Sequence, residues 1–210
     1  MEAHGVKVPI SRIIALEMNQ EETEVIRELE RLGILESLDT HHFKKKLDIT
    51  TITCPDGTRI RHTFKLLLDM YDEKERNGVN YHPLTHHGSG LILVPNSSLV
   101  KNGHTTDIDF LDQIKMAVNG IGYRSVALVN HLPCKMARNN DIRAIEVIDA
   151  LAQAKKRIKK EVSDVTVACL LQVASDKLLF MSKGKYEKWK KSETGKQFIT
   201  NQFRKYSMAS

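Results

Sequence analysis

Ser125-Val126-Ala127-Leu128-Val129-Asn130-His131-Leu132-Pro133-Cys134 begins as a small and apolar run and closes on an imidazole and a thiol. Residues 125–129 read as a buried strand, because a continuous apolar stretch suits a strand covered on both faces. His131 and Cys134 then stand at the carboxyl end of that strand. In open α/β sheets this is the edge at which ligands bind. A second thiol, Cys54, closes another β-branched run over residues 47–53. Two strand ends that together supply two Cys and one His offer the donors of a zinc site.

The flanking segments supply the rest of an α/β pattern. Residues 20–38 read as a helix, with Val25, Ile26, Leu29, Leu32 and Leu35 at three- and four-residue steps, weakened near its end by Gly33. Residues 44–53 read as a strand, Pro55-Asp56-Gly57 as a turn and residues 62–75 as a helix. A β region over 79–94 is interrupted by His86-His87-Gly88-Ser89-Gly90, and residues 95–106 are loop-like. Residues 107–118 are expected to be helical and to stop at Gly120 and Gly122. A long helix over 142–161 follows, capped by Asn140 or Asp141, with lysines in its last turns that suit the helix dipole. Residues 165–173 are nearly all apolar and read as a central strand, and 177–180 as an edge strand. Strands separated by helices predict an α/β fold, a mainly parallel central sheet flanked by helices, with a helical N-terminal extension and a basic C-terminal one. The division expected is a zinc-binding α/β domain over 1–182 and a basic, aromatic extension over 183–210.

Composition narrows the class. The chain has 210 residues, 41% hydrophobic and 28% charged, which is ordinary for a globular protein. Three cysteines, at 54, 134 and 169, are too few and too scattered for a disulfide framework, and fit a reducing compartment. No run approaches the ~20 apolar residues of a membrane span. Met1-Glu2-Ala3-His4-Gly5 lacks the basic lead of a secretory signal, so the cytoplasm is the expected location. The net charge of +6 is concentrated in residues 183–206, where eight basic residues face two acidic ones. Tyr186, Trp189, Phe198, Phe203 and Tyr206 are interleaved with them. Such a mixture can bind single-stranded nucleic acid. The preferred reading is an amphipathic helix whose aromatics pack on the sheet or a partner subunit while its lysines stay in solvent.

Cys54, His131 and Cys134 are thiolate, imidazole and thiolate donors, a set that suits a tetrahedral, borderline-soft cation, Zn2+. Three protein ligands leave a fourth position for water, whose pKa bound zinc lowers to about 7. Asp56, two residues from Cys54, can either take that position and close the site or lie beside it. Arg59 is its natural partner, since a guanidinium holds a carboxylate in a fixed geometry. His86 and His87 flank the glycine turn as proton shuttles or as plain polar loop residues. Cys169, mid-strand, reads as core, and His41, His42 and His104 as surface.

These residues resemble the β-class carbonic anhydrases. That family has a strand ending in Cys-x-Asp-x-Arg and a later strand ending in His-x-x-Cys. Cys54-Pro55-Asp56-Gly57-Thr58-Arg59 and His131-Leu132-Pro133-Cys134 stand in the same order and context, with one residue more between Asp56 and Arg59. The resemblance covers residues 47–173. It implies a zinc lyase that reversibly hydrates carbon dioxide to bicarbonate, in a homo-oligomer. It gives Asp56 the role of orienting the attacking hydroxide and Arg59 that of orienting Asp56. A non-catalytic relative with the metal site closed by Asp56 is the alternative. Cys54 to Arg59 also resembles the Cys-x-x-Gly-x-Arg loop of rhodanese sulfurtransferases, which would make Cys54 a nucleophile.

Overall fold

Leu170, Cys169 and their neighbours on one strand alternate between two cores, and this alternation organises the molecule. A computed structural model describes residues 17–38, 48–95, 97–100, 105–173 and 177–207. In chain order its elements are α1 (Gln20–Arg31), β1 (Leu35–Ser37), β2 (Asp48–Thr53), α2 (Gly57–Leu68), α3 (Glu73–Arg76), β3 (Asn80–Thr85), α4 (Thr106–Lys115), β4 (Ser125–Leu132), α5 (Lys135–Arg138), α6 (Ala144–Glu161), β5 (Thr166–Val173), β6 (Lys177–Met181), α7 (Lys183–Lys191) and α8 (Glu193–Ser207). The six strands form one sheet in the order β1-β6-β5-β4-β2-β3. β3, β2, β4 and β5 run parallel, while β6 and β1 are antiparallel to their neighbours.

β4 and β5 lie at the centre of the sheet, and all eight residues of β4 are buried. Val126 and Leu128 face the larger core, with α1, α4, α6 and α7; Ala127 and Val129 face the smaller one, with Leu67 and Tyr71. This is the period of two that a strand imposes on its side chains. Burial on both faces explains why these strands read as unbroken apolar runs.

Several boundaries differ from the expectations. α1 stops at Arg31, seven residues before the expected end at residue 38. Gly33 adopts φ +62°, Ile34 N–H donates to Leu29 C=O and Gly33 N–H to Glu30 C=O, which closes the helix with left-handed backbone that glycine adopts at little cost. Leu35 then pairs with Met181 as the first residue of β1, so β1 rather than β6 is the sheet edge on that side. Pro55-Asp56-Gly57 is not a free turn but the entry to α2. The Asp56 carbonyl accepts the N–H groups of Arg59 and Ile60, and the helix starts five residues earlier than predicted. It also ends earlier, at Leu68, leaving α3 as a separate turn capped by Asp72. Residues Ser89–Leu93 form a buried 3-10 turn instead of a strand. α6 is entered at Arg143, whose N–H donates to Glu146, rather than at Asn140 or Asp141. The start of the strand expected at 44–47, and His41, His42 and His104, lie outside the described residues.

Residues 183–207 fold into α7 and α8. Tyr186 and Trp189 of α7 join the larger core, and Phe198 of α8 packs against it. Several basic side chains of this region reach acidic partners on the rest of the molecule: Lys185 to Glu36, Lys190 to Asp149 at 2.7 Å, and Lys205 to Glu24 at 2.6 Å. Hydrogen bonds from Lys205, Gln20, Gln202 and Tyr206 hold the Glu24 carboxyl well below its usual range, at about 2. Among the described residues no helix is long and apolar enough to cross a membrane.

Candidate metal centre

The strand order fixes where the chemistry-bearing residues meet. From β2 the chain crosses through α2 to β3 on one side, then returns past β2 to β4 on the other. β2 and β4 are therefore neighbours from which successive connections diverge, and ligands bind at the carboxyl ends of such a pair. Cys54 follows the last residue of β2, His131 is the penultimate residue of β4, and Cys134 is the residue before α5. The loop after β3 arrives at the same edge, where His86 N–H donates to Thr53 C=O.

The donors are buried. Cys54, His131, Cys134 and Arg59 are each 3–5% exposed, and all three cysteines are free thiols. Burial pushes both the Cys54 and the Cys134 thiols up. Neighbouring backbone N–H groups oppose this, those of Gly88 and Asp56 at Cys54 and those of Ala137 and Met136 at Cys134. Such donors favour the thiolate, the form that binds a metal. His131 Nδ1 lies 2.8 Å from the Pro133 carbonyl, so this nitrogen carries the proton and donates it. The tautomer leaves a lone pair on Nε2, which is buried without a hydrogen-bond partner among the described residues. Burial pushes the His131 pKa down and so favours the neutral, ligating form.

The Gly88 N–H is held in place by a buried clamp. Gly88 has φ +86°, and a Cβ there would lie 2.5 Å from Leu99 Cδ1. Ser89 Oγ donates to the Val129 carbonyl at 2.6 Å, and Gly90 N–H donates to Asn130 Oδ1 at 2.9 Å. Asn130 in turn donates from Nδ2 to the Val147 carbonyl at 2.8 Å. The glycine-containing stretch was visible in the sequence, but not its partner strand, since 40 residues separate Gly90 from Asn130.

Asp56 is half-buried, and its charge acts on Cys54, Cys134, His131 and Arg59. Arg59 lies in the first turn of α2. Burial lowers its pKa, while the charges of Asp56, Cys134 and Glu22 favour its cationic form. The Glu22 carboxylate on α1 is itself tied to Arg138, four residues beyond Cys134, at 2.6 Å. His86 packs on Phe110 with ring centroids 5.6 Å apart, and His87 is exposed. Cys169 is remote from this edge. It lies in mid-strand, donates to the Leu151 carbonyl at 3.3 Å, and burial pushes it up to about 12.

Among the described residues no three His, Cys, Asp or Glu side chains stand close enough together to hold a metal ion. The chemistry of the donor set nevertheless fits zinc. Two buried sulfurs have backbone N–H groups in their surroundings, and one imidazole has its outer nitrogen fixed on a carbonyl and its inner one unpartnered. Binding then requires these side chains to draw together around the ion.

No family model matches the chain, and no curated protein matches it. Among solved structures it is similar to β-carbonic anhydrase isoform I from the protozoan Trichomonas vaginalis, with a TM-score of 0.43, 14% identity, and coverage of 78% of this chain and 97% of that one. It is also similar to two variants of the β-carbonic anhydrase CafD from the filamentous fungus Aspergillus fumigatus. Their TM-scores are 0.37 and 0.40 and their identities 11% and 10%, and each comparison covers 70% of this chain and 98% of the other.

Proposed function

We propose that this chain is a zinc-dependent, carbonic anhydrase-like protein that interconverts carbon dioxide and bicarbonate. One observation carries the reading. The two adjacent strands that flank the divergence point of the sheet end in Cys54 and in His131 and Cys134, all three buried, and the Pro133 carbonyl fixes the His131 tautomer that leaves Nε2 free to ligate. Cys54, His131 and Cys134 would hold the metal. Zinc there would supply a water acidic enough to act as a nucleophile near neutral pH.

The remaining work falls to Asp56 and Arg59. The Asp56 carboxylate accepts a hydrogen bond from the nucleophile and keeps its lone pair directed at the carbon of the substrate. Arg59, buried one helical turn further on, holds the carboxylate in that orientation and away from the metal. If Asp56 is released it can bind the metal instead, which gives the second reading, a closed zinc site without turnover. The influence of Asp56 on Cys54, Cys134 and His131 alike keeps this reading open to test. The sulfurtransferase reading has less support, because Cys54 is buried and its thiol is pushed up rather than activated.

The test is stopped-flow hydration of carbon dioxide by the purified, zinc-loaded chain. Measurable turnover is expected. Asp56→Ala and Arg59→Ala should each lower kcat by about 10- to 100-fold while zinc stays near one per chain. A zinc-loaded wild-type protein without turnover would establish the closed site. Unchanged turnover in both variants would remove Asp56 and Arg59 from the mechanism.

A further inference from the structure

The sheet face that carries α2 is packed with apolar side chains, and a small polar cluster is buried among them. Gln172 is the penultimate residue of β5 and is paired in parallel register with His131 of β4. Paired residues of parallel strands project to the same face, so Gln172 and His131 are neighbours on the α2 side. Gln172 and Thr63 of α2 are both fully buried. The Thr63 hydroxyl lies 2.8 Å from Gln172 Oε1 and 3.1 Å from the Arg59 carbonyl, and Gln172 Nε2 donates to the same carbonyl at 3.4 Å.

Stability alone gives little reason for this cluster. Buried amide and hydroxyl groups cost free energy unless they are paired, and exchanging both partners for apolar groups of similar shape is close to neutral. Hydrogen bonds do supply direction, which apolar packing does not. Leu67, near the far end of α2, and Tyr71, just beyond it, pack in the smaller core. Near its first turn, the buried Gln172–Thr63 contact joins the helix to β5 beside His131.

We infer that Gln172 and Thr63 are positioning residues, which hold the first turn of α2 in register so that Arg59, and through it Asp56, stays aimed at the edge formed by Cys54, His131 and Cys134. The inference rests on the function proposed above, and its test separates the two. Thr63→Val/Gln172→Leu, made in the full chain, removes both polar partners together and is expected to fold with a near-native melting temperature. Its zinc content should stay near one per chain while hydration kcat falls about 10- to 100-fold. Thr63→Ser, which keeps the hydroxyl, should retain the wild-type rate. If the double variant does not fold, Thr63→Val is compared with Thr63→Ser in the same way. A folded variant without the cluster that keeps the wild-type kcat overturns the inference.

A second readout does not depend on metal or turnover. The side-chain Nε–H of Arg59 should exchange slowly with solvent in the wild type and about tenfold faster or more in the variant. Equal protection in both proteins overturns the positioning role. Lost protection in the variant, with no zinc in the wild type, supports the positioning of Arg59 and removes only the proposed function.

Discussion

If the proposed function holds, Cys134→Ser is expected to abolish zinc binding. Cys134 is buried at the entry to α5, where the neighbouring backbone N–H groups of Ala137 and Met136 favour its thiolate. A serine hydroxyl fits the same space but does not ionise near neutral pH and is a harder donor. Structural zinc binding is worth roughly 10–16 kcal/mol in small zinc domains. Losing one of a few ligands therefore costs about 3–4 kcal/mol, or about 10²- to 10³-fold in affinity. Metal analysis after dialysis against a weak chelator checks this. Cys169→Ser is the control, because its thiol serves only the Leu151 carbonyl and is held protonated by burial. Full zinc occupancy in Cys134→Ser would mean that Cys134 is not a ligand.

The second large effect concerns stability. A chain ending at Ser182 should fail to fold. Tyr186 and Trp189 lie in the larger core, with ring centroids 5.9 Å apart, and Trp189 meets Phe198 at the same separation. Removing one buried aromatic side chain costs about 3–5 kcal/mol. Two such losses approach the total stability of a typical domain, about 5–15 kcal/mol. Tyr186→Ala alone should lower the melting temperature by several degrees, as circular dichroism would record. A truncated chain that melts where the full chain does would show that α7 and α8 are not part of the folding unit.

The parts of the fold that were legible in the sequence are those with one dominant signal. β4 and β5 are buried on both faces and so are written as apolar runs, and α6 carries Ile145, Ile148, Leu151 and Ile158 at helical spacing. β1 was hidden because Leu35 continues the spacing of α1, and only the pairing with Met181 makes it a strand. The entry to α2 was hidden because Pro55-Asp56-Gly57 is turn chemistry, and the same residues also begin a helix. Cys54, His131 and Cys134 stood out by residue type and by their strand ends. The groups that prepare them did not, because the N–H of Gly88 and the side chain of Asn130 come from distant segments and a backbone donor has no signature in sequence. Gln172 left a trace as a polar residue within the apolar run of β5, but its partner Thr63 is 109 residues away.

X-ray absorption at the zinc edge, on the protein as purified, tests the central claim most directly. The account predicts one zinc per chain with two sulfur neighbours at about 2.3 Å and nitrogen or oxygen neighbours at about 2.0–2.2 Å. A metal shell without sulfur, a shell of four sulfurs, or a protein that binds no zinc when supplied with it would contradict the account.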